Sequence, residues 1–95
     1  MGQQKFYVYI MATAGHKVLY IDVTSDLVQR VAQHKTGTFG GFTQNYSLHT
    51  LLYYEIWDSS EAATQRAQQL KRWHRQWKLN LIRELNPTLE DLPMS

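Results

Sequence analysis

The sequence predicts a small α/β domain of the α+β type. A three-stranded, mainly antiparallel sheet is flanked by helices in the order β-β-α-β-α-(α). Three observations carry this. Segments 5–11, 18–24 and 48–57 are rich in aromatic and β-branched residues and read as strands. The first two are joined by a short loop containing Gly15, which suits an antiparallel hairpin. Two other segments repeat apolar residues at spacings of three and four, as helices packed on a sheet do.

The first strand is Lys5-Phe6-Tyr7-Val8-Tyr9-Ile10-Met11. In the second, alternation places Leu19, Ile21 and Val23 on one face and Tyr20, Asp22 and Thr24 on the other. Ser25 is the expected N-cap of a first helix over 26–35, with Asp26 in its first turn. Leu27, Val31 and His34 have helical spacing, and Arg30 and His34 share a side at i,i+4. Segment 36–46 holds Gly37, Gly40 and Gly41 and reads as a loop. After the third strand, Ser59 and Ser60 can cap a second helix. Its stripe runs through Ala63, Ala67, Leu70, Trp73, His74 and Trp77. Leu79, Ile82 and Leu85 extend that signal, so a long or broken helix reaches about Leu85, and Asn86-Pro87 ends it. The tail from Thr88 is expected to be pinned by Leu89 and Leu92.

Ninety-five residues predict one domain, 1–95, with a core over about 5–92. Apolar residues make up 43% and charged residues 19%, which excludes a disordered chain. There is no cysteine, so disulfide-linked partners, thiolate metal sites and cysteine nucleophiles are excluded. No apolar run approaches the ~18 residues of a membrane span, and the N-terminus does not lead into a signal-peptide core. A soluble cytoplasmic protein is expected. Charge is uneven: residues 1–65 carry four Lys/Arg and five Asp/Glu, residues 66–95 six and three. All six of the latter bases lie between Arg66 and Arg83 with no acid among them, interleaved with Trp73, His74 and Trp77. Such a stretch suits phosphate backbones and stacked bases, or else is a solvated helix face. Lys71, Arg75 and Lys78 fall on one helical face at i, i+4, i+7 and are candidate phosphate contacts, with Arg72 beside them. In the glycine loop, Phe39, Phe42 and Tyr46 are either aromatic anchors or platforms for unpaired bases.

Four clusters, in order, resemble the GIY-YIG nuclease domain. They are Tyr7-Val8-Tyr9-Ile10-Met11, then Leu19-Tyr20-Ile21-Asp22-Val23-Thr24-Ser25-Asp26-Leu27, and third Arg30-Val31-Ala32-Gln33-His34-Lys35. The fourth runs from Arg66 through Gln69-Leu70-Lys71-Arg72-Trp73 and Asn86-Pro87 to Asp91-Leu92. The likeness is to the small single-domain bacterial branch, related to the N-terminal domain of the GIY-YIG component of excinuclease ABC, and covers about residues 6–92. It implies a DNA endonuclease that hydrolyses phosphodiesters with Mg2+ or Mn2+, and single-stranded DNA is a reasonable substrate. It also implies roles. Tyr20 would be general base for the attacking water, and Tyr9 would position water or phosphate. Arg30 would hold a non-bridging oxygen, while His34 would donate to phosphate or orient a tyrosine. Asn86 would lie near the site. From the residues alone, the tyrosines read equally as core caps, Arg30 as a surface arginine, His34 as a structural histidine and Asn86 as a helix C-cap.

Two positions depart from the family pattern. The glycine closing the second motif is Asp22, which would either bind a metal or repel phosphate if it faced the tyrosines. The family's metal-holding acid aligns with Ala67, which cannot ligate. The chain as written is therefore expected to be catalytically impaired, an inactivated form by engineering or decay, with the intact tyrosines, Arg30 and His34 favouring engineering. Two alternatives share the sequence: a non-catalytic nucleic-acid-binding module of the same fold, and a protein-interaction domain using the tryptophan helix.

Overall fold

The computed structural model describes residues 4–37 and 48–93. The strands are β1 (Phe6–Ala12), β2 (Leu19–Thr24) and β3 (Thr50–Trp57). The helices are α1 (Leu27–Thr36), α2 (Ser60–Arg72) and α3 (Arg75–Leu85). The order β-β-α-β-α-α is the expected one. The sheet order is β2-β1-β3, with β1 antiparallel to both neighbours. A single 3-10 turn, Ala14–His16, joins β1 to β2.

The central strand is buried on both faces, and its alternation sorts the core into two layers. Val8, Ile10 and Ala12 meet Ala63, Ala67 and Leu70 of α2 and Ile82 of α3. Tyr9 and Met11 meet Leu27 and Val31 of α1 on the other side. The β1–β3 register shifts between Ile10 and Met11, where Ile10 faces Tyr53 but Met11 faces Leu51. This bulge places Leu52 and Tyr53 together in the α2 layer and Leu51 in the α1 layer. In β2, Leu19, Ile21 and Val23 join the α2 layer and Tyr20 the α1 layer, as the alternation required.

Three local expectations need correction. The N-cap of α1 is Asp26, whose carboxylate accepts from the Gln29 backbone N–H at 3.1 Å, and not Ser25. A carboxylate at that position satisfies an unpaired donor and also favours the positive end of the helix. The second helical stretch is broken. Trp73 and His74 adopt extended backbone (ψ 151° and 152°), so α2 and α3 are separate helices. The stripe ends with it: Ala63, Ala67 and Leu70 are buried, whereas His74 and Trp77 are exposed. The Ser59 cap is as expected, its hydroxyl accepting from Ala62 N–H at 3.0 Å. Gly37 closes α1 with left-handed backbone (φ 76°), which glycine adopts at least cost. The tail is pinned as expected. Leu89 packs on the α2 layer and Leu92 on the α1 layer, and Leu92 N–H donates to the Leu51 carbonyl at 2.8 Å.

Candidate active site

β1, β2 and α1 bring four of the sequence-selected side chains together on the α1 face of the sheet. Tyr9 projects from the central strand and is fully buried. Tyr20 stands beside it on the edge strand, ring centroids 6.4 Å apart. Arg30 and His34, one turn apart on α1, lean onto them. Tyr9 Oη and His34 Nε2 are hydrogen-bonded at 2.9 Å. Arg30 Nη1 donates to Tyr9 Oη at 3.4 Å. The His34 ring lies edge-on to Tyr20, with centroids 5.2 Å apart.

Asp22 completes the cluster. The Tyr20 hydroxyl donates to its Oδ2 at 2.9 Å, and the Val23 backbone N–H donates to its Oδ1 at 2.8 Å. Arg30 Nη1 stands 3.7 Å from the same Oδ2, an ion pair at the solvent edge of the site. The carboxylate therefore faces the tyrosines. Spacing on β2 put it on Tyr20's face, but only the fold shows that it meets both the phenol and the guanidinium.

The electrostatics follow from burial. Desolvation pushes the Tyr9 phenol well above its ordinary value, against the opposing pull of the Arg30 bond. Burial, reinforced by the hydrogen bond to Asp22, raises Tyr20 to about 12. Burial and the nearby Arg30 charge lower His34 to about 4, so its imidazole is neutral at pH 7. A neutral, buried ring bonded to Tyr9 orients that tyrosine. It is not placed to act as a charged donor to phosphate.

Near Tyr20 the edge strand opens into a cleft of about 330 Å3, lined by Leu19, Tyr20, Ile21, Lys71 and Lys78. Lys71 and Lys78 thus reach the tyrosine from the α2–α3 corner, round the free edge of β2. The single three-lysine/arginine face expected from i, i+4, i+7 spacing does not exist, because the helix breaks between its members. Arg75 turns to the β1–β2 loop instead and donates to the backbone carbonyls of His16 and Lys17. Arg72 lines a groove with Trp57, Ala62 and Gln65, a different set of neighbours from the tyrosine cleft.

Asn86 is the buried C-cap of α3. Its Nδ2 donates to the carbonyls of Leu52 (3.1 Å) and Glu90 (2.6 Å), and its Oδ1 accepts from Glu90 N–H. These bonds tie α3 and the tail to β3, so the C-cap reading is the one the contacts support. Ala67 is 3% exposed and lies in the α2 layer. One turn further on, Lys71 lines the Tyr20 cleft, so a longer side chain at 67 would approach the tyrosines by passing the β2 edge. Phe39, Gly41, Phe42 and Tyr46 lie outside the described residues.

A model of the GIY-YIG catalytic domain matches residues 5–80. The chain belongs to the GIY-YIG family. Relatives are UPF0213 proteins of Streptococcus pyogenes. That of serotype M5 (strain Manfredo) is 41% identical over 63 residues, 66% of this chain and 67% of its own. That of serotype M3 (strain ATCC BAA-595 / MGAS315) is 40% identical over the same length and shares. Among solved structures, the UPF0213 protein BH0048 from Bacillus halodurans superimposes with a TM-score of 0.58 at 23% identity, covering 92% of each chain. That likeness shows the fold. This GIY-YIG domain therefore comes from a nuclease-type family whose members act on nucleic acid and generally use divalent metals. The UPF0213 designation itself states no activity.

The residues present do not fit a dedicated divalent-metal site. Among the described residues no three His, Asp or Glu side chains group to hold an ion. The carboxylate at the tyrosines is held by Tyr20 and faced by the Arg30 cation. Ala67 offers no ligand. No helix among the described residues is long and apolar enough to cross a membrane.

Proposed function

We propose that this GIY-YIG domain is an endonuclease that binds DNA, with a preference for single strands, and hydrolyses its phosphodiester bonds. The chain as written is catalytically impaired. One observation carries the reading: two tyrosine hydroxyls, a guanidinium and a neutral imidazole converge at the mouth of a lysine-lined cleft. In-line attack on a phosphodiester needs an oriented water, a proton acceptor and positive charge for the non-bridging oxygens. Tyr20 stands at the open edge, where water and phosphate have access. Tyr9 is held by His34 and Arg30, and positions its neighbour's substrate contacts. Arg30 presents a planar fork suited to a phosphate oxygen, while Lys71 and Lys78 continue the positive charge along the strand's path.

Impairment follows from the alanine at 67, the position of the family's metal-holding acid. Mg2+ or Mn2+ is held weakly or not at all by this chain, and no step is routed through either ion. The Ala67→Glu variant tests this. On labelled single-stranded, duplex and branched DNA, with Mg2+, Mn2+ or chelator, we expect the variant to cleave and to bind metal more tightly by calorimetry. The preferred substrate is expected to be single-stranded. No gain in metal binding or cleavage would remove the metal-restoration account. DNA binding without cleavage by any form would favour a non-catalytic binding module. Absence of salt-dependent DNA binding would leave the protein-interaction alternative.

A further inference from the structure

We propose that Asp22 is the proton acceptor for Tyr20, so that a tyrosine–aspartate relay serves as the base of this site. The inference rests on reading Tyr20 as the residue that takes the attacking water's proton. The structure supplies the next link. A phenol that gains a proton from water must give up its own, and that hydrogen already points at Asp22 Oδ2, 2.9 Å away. The carboxylate is not free to swing, because its second oxygen accepts the Val23 backbone N–H at 2.8 Å. Oδ2 is therefore held toward the phenol before substrate arrives. Burial opposes formation of a bare phenolate at Tyr20, which makes a partner for its proton more necessary.

The step balances as follows. Water oxygen forms a bond to phosphorus as the bond from phosphorus to the leaving ester oxygen breaks. A water proton passes to Tyr20 Oη while the Tyr20 proton passes to Asp22 Oδ2. The leaving oxygen takes a proton from solvent, and Asp22 later returns its own to solvent. The groups facing this pair come from every neighbouring element. Tyr9 stands on β1, Arg30 and His34 on α1, and Lys71 and Lys78 at the cleft from α2 and α3. Three of these are cations, which favour the negative charge that the attacking water develops. The arrangement also gives the residue in place of the motif's glycine a task suited to a carboxylate. As a positioning residue it acts through Tyr20 and need not touch substrate.

Single-turnover cleavage with excess protein over labelled single-stranded DNA tests this, from about pH 6 to 10. The parent, Asp22→Asn and Asp22→Gly forms run side by side with and without Mg2+, and DNA affinity and folding are measured for each. Asparagine keeps an acceptor for both hydrogen bonds but does not take up the proton. We expect it to slow cleavage about a hundredfold with DNA affinity not reduced. Its rate should rise by about tenfold per pH unit, following hydroxide, whereas the parent's changes little from about pH 7 to 9. Formate should restore part of the rate of the glycine form, which a merely structural carboxylate would not permit. Equal rates and pH profiles for parent and Asp22→Asn, or faster cleavage by Asp22→Gly, would overturn the relay and leave the nuclease reading standing. No cleavage by any form, with DNA still bound, would overturn both.

Discussion

His34 is the residue whose burial has the most direct thermodynamic consequence. Desolvation and Arg30 lower it to about 4, while in the unfolded chain a histidine titrates near 6.5. Between those values the unfolded state binds a proton that the folded state refuses, so stability rises with pH there. The contribution is complete above about pH 6.5 and is lost as pH falls toward 4, up to roughly 3 kcal/mol. Urea unfolding at pH 7 and pH 4.5 should show the loss, and a His34→Gln variant should show less of it. An identical pH dependence in the variant would assign the effect elsewhere. The spacing of Arg30 and His34 on one helix side was legible in the sequence. The choice between orienting a tyrosine and touching phosphate was not. It depended on Tyr9 lying at the bottom of the layer, on a strand 25 residues away. Asp22 gives the same lesson. Alternation showed its face, but its contact with Arg30 comes from the packing of α1 on β2.

At the scale of elements, Asn86 is the joint between α3, the tail and β3. Its amide makes three hydrogen bonds, all to backbone, and is 5% exposed. Truncation to alanine would leave buried carbonyls and an N–H unpaired, and each such group costs about 1–3 kcal/mol. We expect Asn86→Ala to destabilise by about 2–4 kcal/mol in denaturant unfolding, with the tail's amide protons losing protection first. A loss below about 1 kcal/mol would mean that water replaces the amide. The break between α2 and α3 shows why elements are harder to delimit than to detect. Arg72, Trp73 and His74 contain no glycine or proline, so nothing local ends the helix. The turn is set instead by Trp73 packing on the α2 layer and by Arg66 lying over its ring at 5.4 Å. Arg66 is itself held by Glu55 at 2.9 Å, in a half-buried pair to which Tyr53 and Trp57 also donate. Burial raises the Glu55 carboxyl, but the bonds from Arg66, Tyr53 and Trp57 outweigh it and hold it below its ordinary range.

For the whole molecule, charge asymmetry is the property that a ligand meets first. The excess of bases after Gln65 was plain in the composition, and the fold concentrates part of it at the tyrosine cleft through Lys71 and Lys78. Changing both lysines to alanine should weaken DNA binding without respect to sequence. It should also flatten the plot of log affinity against log salt by about two units. Arg75→Ala should change that slope little, since its guanidinium is engaged with loop carbonyls, and should instead loosen the β1–β2 turn. Affinity titrations across a salt series distinguish the three lysine/arginine positions. An equal slope change for all three would restore the continuous basic face.

The sequence by itself determined the element types, their order and the family. These are written in local periodicities and in an ordered run of motifs that survive without knowledge of contacts. It also determined which side of β2 carries Tyr20 and Asp22, because a strand alternates by geometry. Tertiary structure alone decided which basic residues meet the tyrosine, whether Asn86 serves the site or the scaffold, and that the Asp22 carboxylate lies between a phenol and a guanidinium. Each of those depends on the packing of side chains that are distant in sequence or separated by an unmarked break. No local pattern encodes such neighbours, since the strands and helices that supply them meet only when the sheet and its two layers close.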